Sequence, residues 1–468
     1  MAGKRSSTRI ERDTMGEMRV PAGALYGAQT ARAVENFPIS SLRAHPAFVD
    51  ATVRIKIAAA RVNARLRLLP RAKARAVEAA AKEVLAGRWR DQMVVDAYQA
   101  GAGTSHHMNV NEVLANRATE LLGGRRGAAR LVDPNDDVNM AQSTNDVVPT
   151  AMRLAALELA PETADAIAEL AATFDRKARR WDGIVKSGRT HLMDATPIRL
   201  GQEVSGWAAA LRAAAARIRD ALPELSVVGL GGTAVGTGLN AHPRYRALVV
   251  RELERLTGVP LTPAPNPFYA MQSLAPFVNL SAALRTAALE LIRLGGDLRL
   301  LGSGPNTGLA ELRLPAVQPG SSIMPGKVNP SMAEMLAMVA YQVIGMDAAI
   351  AWAAGGGQQE LNVMMPLVAW DLCHALDILA RAVRAFDRRC ARGLEPDAAR
   401  CRLNAERTVS LATALAPRIG YAEAARIVKE STRTGRSIVE LAVELGGLGE
   451  REAKRLLDPA ALTRPGRR

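Results

Sequence analysis

Aromatic side chains are scarce: five Trp, six Tyr and six Phe make up 4% of the 468 residues. Ala, Leu and Val must therefore do most of the packing, and the stacking platform that grips single-stranded nucleic acid is excluded. Cysteine is equally thin. Cys373, Cys390 and Cys401 cannot all pair within one chain and lack metal-ligand spacing, so they read as reduced structural thiols of a cytoplasmic protein. No His/Cys cluster suggests a metal site. No run of 18 or more uninterrupted apolar residues occurs, which argues against a membrane span. The start, MAGKRSSTRI, is basic but has no apolar stretch, so a secretory signal is not expected.

Positive charge, by contrast, is plentiful. Lys and Arg number 61 against 46 Asp and Glu, a formal net charge of +15. The excess is mostly Arg, spread along helical stretches and at both ends of the chain, with no groove-reading module, so nucleic acid is not an expected partner. Such a field still draws in a small dianion, most strongly at low salt.

The hydrophobic pattern predicts a mainly helical, all-α protein. Residues 1–140 read as a mixed N-terminal region with an apolar helix around 48–68 and Gly/Asn-rich loops near 101–111 and 133–145. From about 150 the period lengthens: Val204, Trp207, Ala208, Leu211, Ala215, Ile218 and Leu222 recur at helical spacing. Similar patterns fill roughly 150–180, 268–301, 331–352 and 360–391, implying a long-helix bundle over 141–398, followed by a small helical region over 399–468. Several of these helices are Ala/Leu-rich nearly all round, as expected if the bundle is buried against copies of itself. The connections 185–203, 226–242, 302–330 and 353–359 are long and Gly-rich, which marks them as functional loops.

Four segments carry the polar chemistry. The fullest is Gly320-Ser321-Ser322-Ile323-Met324-Pro325-Gly326-Lys327-Val328-Asn329-Pro330, where two glycines free the backbone and two prolines limit where a helix can begin. A loop that sets a serine and a lysine beside an anion suits proton abstraction next to a carboxylate. The others are Gly101-Ala102-Gly103-Thr104-Ser105, Gln142-Ser143-Thr144-Asn145-Asp146 and Gly188-Arg189-Thr190-His191. Taken singly, their hydroxyls and amides suit helix caps; capping and anion binding share the same free N–H groups.

Together with Arg12 to Glu17, Tyr26 to Thr30 and Gly232 to Asn240, these segments resemble the fumarase/aspartase superfamily over nearly the whole chain and in family order. The resemblance implies a three-domain fold whose central helices pack into a homotetrameric core, with each active site built from three subunits. It implies an anti-elimination from a succinyl skeleton to give fumarate, with no organic cofactor. Ser321 then matches the catalytic base, and Lys327 and Asn329 the holders of the carboxylate where charge develops. His191 matches a substrate contact and Glu334 its charge partner, while Thr104, Ser143, Thr144, Asn145 and Thr190 match the binding set for a small dicarboxylate. Ser322 assists in the loop or binds carboxylate. His45, His242 and His374 are assigned to structure or surface.

The leaving group is read from mixed features. Arg12 to Glu17, Asp194 to Pro197, Gly231-Gly232 and Ala264 to Phe268 resemble fumarase. Ser143-Thr144-Asn145, Gln358 to Met364 and the end of the chain resemble aspartase. The Ser143–Asn145 triplet weighs most because it lies in the site, so aspartate ammonia-lyase is the expected activity, with class II fumarase the alternative and a catalytically silent scaffold a third. Three departures stand out: His106-His107 for the usual Thr-Asn or Val-Asn, Asp133 at a position often held by a secondary-site histidine, and Asn306 for an arginine.

Overall fold

The computed structural model describes residues 8–127 and 130–466; the outermost basic residues at both ends lie outside this range. A hairpin of β1 (Thr8–Asp13) and β2 (Gly16–Pro21) leads into α1 (Ala28–Asn36), α2 (Pro46–Arg65), α3 (Arg71–Leu85) and α4 (Thr104–Leu121). Pro46 at the first helical position and the His45 ring, which accepts the Ala47 N–H, start α2. Val49, Val53, Ile57 and Ala60 of α2 pack with Val77, Ala80, Ala81 and Val84 of α3 and Val110, Val113, Leu114 and Ala118 of α4 into one buried cluster. These helices face each other through small and β-branched side chains, as the shortage of aromatics requires.

Five long helices follow among α5 (Thr144–Arg180), α6 (Leu200–Asp220), α7 (Leu222–Leu225), α8 (Tyr245–Thr257), α9 (Pro267–Gln272), α10 (Ala275–Leu301), α11 (Ser331–Gly355) and α12 (Met365–Phe386). The expected 268–301 helix is two helices, because the chain turns extended at Ser273. Residues 104–111, expected as loop, are the buried start of α4. The 185–203 connection is a hairpin of β3 (Val185–Thr190) and β4 (Met193–Arg199) that runs straight into α6. The hairpin's alternation spans only six or seven residues beside long helical periods, and the Gly/Asn-rich composition of 101–111 hid the helix that begins at Thr104.

The C-terminal region holds α13 (Ala398–Arg407), α14 (Ala416–Ile419), α15 (Tyr421–Thr434), α16 (Ile438–Glu444) and α17 (Glu450–Leu456). Leu411, Leu415, Ile427, Leu441, Leu448 and Leu456 give it a core of its own.

Two compact units divide the chain, one of 1–164, 216–286 and 341–380, the other of 165–215, 287–340 and 381–468. The division passes through every long helix, so it runs across a three-part reading of 1–140, 141–398 and 399–468 rather than along it.

α11 is the most apolar helix. It is long and apolar enough to cross a membrane, and only about a third of its apolar stretch is buried within the chain. Met338, Tyr341 and Trp352 on it are 63%, 60% and 84% exposed, a row of apolar side chains at helical spacing open to solvent in a single chain.

Candidate active site

In the first unit, the residues of the Ser143 segment form a capping box. Ser143 Oγ accepts the Asn145 N–H at 3.2 Å while the Asp146 carboxylate accepts the Ser143 N–H at 2.9 Å. The second Asp146 oxygen accepts the N–H groups of Gly231 and Thr233, and Asn145 Nδ2 donates to the Ala234 carbonyl at 2.7 Å. The start of α5 is thereby tied to the glycine-rich loop at 231–238. Burial pushes Asp146 up to about 6, against the pull of those three N–H groups and of Lys56.

Thr104 opens α4 immediately after Gly103, which sits at φ 87, a conformation open to glycine and strained for other residues. The Ala102 N–H donates to the Val363 carbonyl at 2.8 Å, and a side chain at Gly101 would meet Val363 Cβ at 3.0 Å. The 358–364 segment therefore serves as the wall against which the Thr104 loop is set. Within that segment Asn362 is buried and donates to the carbonyls of Ala353 and Ala354.

The His106-His107 pair has two separate roles. His106 is buried, stacks on Phe48 at 4.3 Å between ring centres, and lies 3.0 Å from Thr52 Oγ1. Because that hydroxyl already donates to the Phe48 carbonyl, His106 Nε2 is the donor of the pair. Burial pushes it down to about 3, so it is a neutral packing residue. His107 instead reaches the site: its Nδ1 lies 2.9 Å from Thr144 Oγ1 and its Nε2 2.5 Å from Lys56 Nζ.

In the second unit, Ser321 and its loop are partly or fully exposed. The Ser321 oxygen accepts two backbone N–H groups, from Met324 at 2.9 Å and Ile323 at 3.2 Å. Gly320 N–H donates to the Lys327 carbonyl, and Asn329 Nδ2 donates to the Gly320 carbonyl, closing the loop on itself. A Cβ at Gly320 would sit 2.5 Å from the Lys327 oxygen and 2.6 Å from the Asn329 nitrogen, so only glycine fits. Lys327 and Ser322 point into solvent.

Thr190 ends β3, and His191 and Leu192 form the turn at φ 56 and 59, the backbone of a two-residue hairpin with both positions left-handed. Glu311 anchors this hairpin. It is fully buried, receives Arg189 through two bonds of 2.7 and 2.9 Å and Asn404 at 2.9 Å, and lies 3.2 Å from Lys186. Burial pushes its carboxyl up, but Arg189, Lys186 and Asn404 bring it below its ordinary value.

One expected contact is absent. His191 is exposed on the hairpin turn and Glu334 lies in the first turn of α11; among the described residues neither bonds the other within the chain. Asp133, for its part, caps the turn after it by accepting the N–H groups of Asn135 and Asp136. His45 and His242 accept local backbone N–H groups and His374 stacks on Trp370.

A family model described as "Lyase" matches residues 16–345, and one described as "Fumarase C C-terminus" matches 411–464. The chain belongs to the fumarase/aspartase superfamily. It is 48% identical to the class II fumarate hydratase of Ralstonia nicotianae, over 94% of this chain and 96% of that one. It is 42% identical to the aspartate ammonia-lyase of Bacillus subtilis, over 98% and 96% of the two. The crystal structure of class II fumarase from Schistosoma mansoni superposes with a TM-score of 0.95 at 36% identity, covering 98% of this chain and 99% of that one. This lyase thus shares its fold and length with enzymes that release either water or ammonia.

Lys56, Asp146 and Glu311 were not singled out in the sequence. A lysine between Ile55 and Ile57 on an apolar helix, and an acid at the third position of a capping box, are the signals that could have found the first two. Glu311 carries no local signal, since its partners lie more than 90 residues away.

Proposed function

We propose that the chain is a class II fumarate hydratase, interconverting L-malate with fumarate and water, and that Ser321 is its base. The observation that carries this is the pair of backbone N–H groups aimed at the Ser321 oxygen. An alkoxide at that position would be stabilised before substrate arrives, which a serine needs in order to take a proton at neutral pH. Lys327 and Asn329, on the same loop, would hold the carboxylate as negative charge builds on it. The Thr104, Ser143, Thr144 and Asn145 set supplies hydroxyl, amide and free helix N–H groups for the remaining dicarboxylate oxygens.

The site residues fall on separate segments, and the exposed row Met338, Tyr341 and Trp352 needs cover. Both support a homotetramer with sites shared by three subunits, in which His191 and Glu334 pair between copies of the chain. A cytoplasmic location agrees with three buried free cysteines.

Water is preferred to ammonia as leaving group because the features that favoured aspartase have local explanations. The Thr144 oxygen has an internal partner in His107, 2.9 Å away, and residues 358–364 brace Gly101. Relatives named class II fumarate hydratase reach 46–48% identity, against 42% for the Bacillus subtilis aspartate ammonia-lyase. Aspartate ammonia-lyase is the second reading, supported by the threonine at position 144 and by the Bacillus subtilis relative.

Hydration in deuterated water tests the chemistry. Malate formed from fumarate should carry one deuterium on C3, anti to the new hydroxyl; syn or absent deuterium contradicts the proposed elimination.

A further inference from the structure

Lys56 is fully buried on α2, and its Nζ meets three groups: His107 Nε2 at 2.5 Å, Gln142 Oε1 at 2.9 Å and Asn139 Oδ1 at 3.0 Å. The two amides are turned the right way by second partners. Gln142 Nε2 donates to the carbonyls of Val138 and Met140, and Asn139 Nδ2 to that of Gln142, so each presents oxygen to the lysine. An ammonium has three protons and here finds three acceptors. His107 Nε2 is then an acceptor, its ring proton lies on Nδ1, and Nδ1–H donates to Thr144 Oγ1 at 2.9 Å. A hydroxyl oxygen that accepts from inside keeps its own hydrogen for the outside.

We propose that His107 is a positioning residue which, locked by Lys56 in its Nδ1–H tautomer, fixes Thr144 as a hydrogen-bond donor to an anionic oxygen of the substrate. The inference rests on the reading of Thr144 as part of the dicarboxylate site. The opposite proton count has the opposite result. A neutral lysine would accept from Nε2–H, Thr144 would donate inward to Nδ1, and only its lone pairs would face a carboxylate. Burial pushes His107 well below its ordinary range, with Lys56 and His106 adding to the effect, so the ring is neutral in either case. Burial pushes Lys56 well below its ordinary range and the charge of Asp146 pulls it back up, so the ammonium rests on the three acceptors around Nζ and on that carboxylate.

Two measurements test this. Solid-state nitrogen-15 NMR of the full-length protein, labelled in its six histidine rings, resolves tautomers, and His107→Asn identifies the relevant signal by its loss. A neutral Nδ1–H ring is expected; an Nε2–H ring or an imidazolium overturns the proposal, whether or not the protein turns over malate. In kinetics, His107→Phe keeps a flat ring without the donor and should raise KM for malate about tenfold, with a smaller change in kcat. His107→Asn, whose amide can donate to Thr144, should hold KM within about threefold. Equal losses in the two variants contradict the tautomer argument, and if Phe fails to fold the wild-type spectrum still decides. Absence of any fumarate-forming activity in the wild type would remove the functional reading alone.

Discussion

The side-chain oxygen of Ser321 accepts the backbone N–H of Met324 at 2.9 Å, with the Ile323 N–H beside it at 3.2 Å. The loop thereby forms an oxyanion pocket around its own serine. Ser321→Ala removes the proposed base and leaves the pocket, so kcat for fumarate formation should fall roughly 10²–10⁴-fold with KM changing little. Steady-state kinetics on the purified variant check this, and an unchanged kcat would remove Ser321 from the chemistry.

Gly320→Ala should act through geometry alone. The added carbon has backbone on two sides, at 2.5 and 2.6 Å, and neither can swing away as a side chain could. Because the loop is exposed, thermal stability should stay within about 0.5 kcal/mol of wild type while kcat drops by at least tenfold. A large fall in the unfolding midpoint would mean that the loop is part of the stable core.

Part of the candidate site was legible in the sequence because its residues are local words: a helix cap and a glycine–proline loop each announce themselves within ten residues. The long helices were legible for the same reason, through a period repeated over five or more turns. What could not be read was pairing at a distance. Glu311 meets Arg189 across 122 residues, and Thr144 meets His107 across 37, so neither partner carries a mark of the other. The leaving group is hard to read for the same reason, since a threonine answering an internal histidine looks the same in sequence as one answering an amine.

Glu311→Gln tests the anchor of the Thr190–His191 hairpin. It leaves Arg189 without its buried counter-charge and Lys186 with Glu203 alone, and breaking such a buried pair costs on the order of 3–5 kcal/mol. The sign with pH follows from a carboxyl held below its ordinary value. Its stabilisation is present above the unfolded value of 4.5 and is lost as pH falls through the lower folded one. Thermal midpoints of wild type and variant should therefore differ widely at pH 7 and draw together below pH 4.

Asp146 should behave in the opposite sense. Its folded value of about 6 lies above the ordinary 3.8, chiefly through burial, so its contribution is greatest below pH 4 and is lost as pH rises through 6. The stability of wild type relative to Asp146→Asn should fall by roughly 2 kcal/mol between pH 4 and pH 7. Denaturant unfolding at both pH values measures this; a flat difference would place Asp146 in contact with solvent.

Met338→Arg places a charge in the middle of the exposed apolar row of α11. If the chain forms the proposed homotetramer with shared sites, sedimentation should show its loss in the variant, and activity should disappear with it. A monomeric variant that kept full activity would show that one chain completes a site.

The most direct test of the account supplies L-malate and L-aspartate separately to the purified protein and follows the ultraviolet absorbance of fumarate as it appears. Turnover of malate, with a kcat/KM at least a hundredfold above that for aspartate, is the predicted result. Turnover of aspartate alone would establish ammonia as the leaving group and contradict it, and turnover of neither would leave a scaffold that keeps the fold without the reaction.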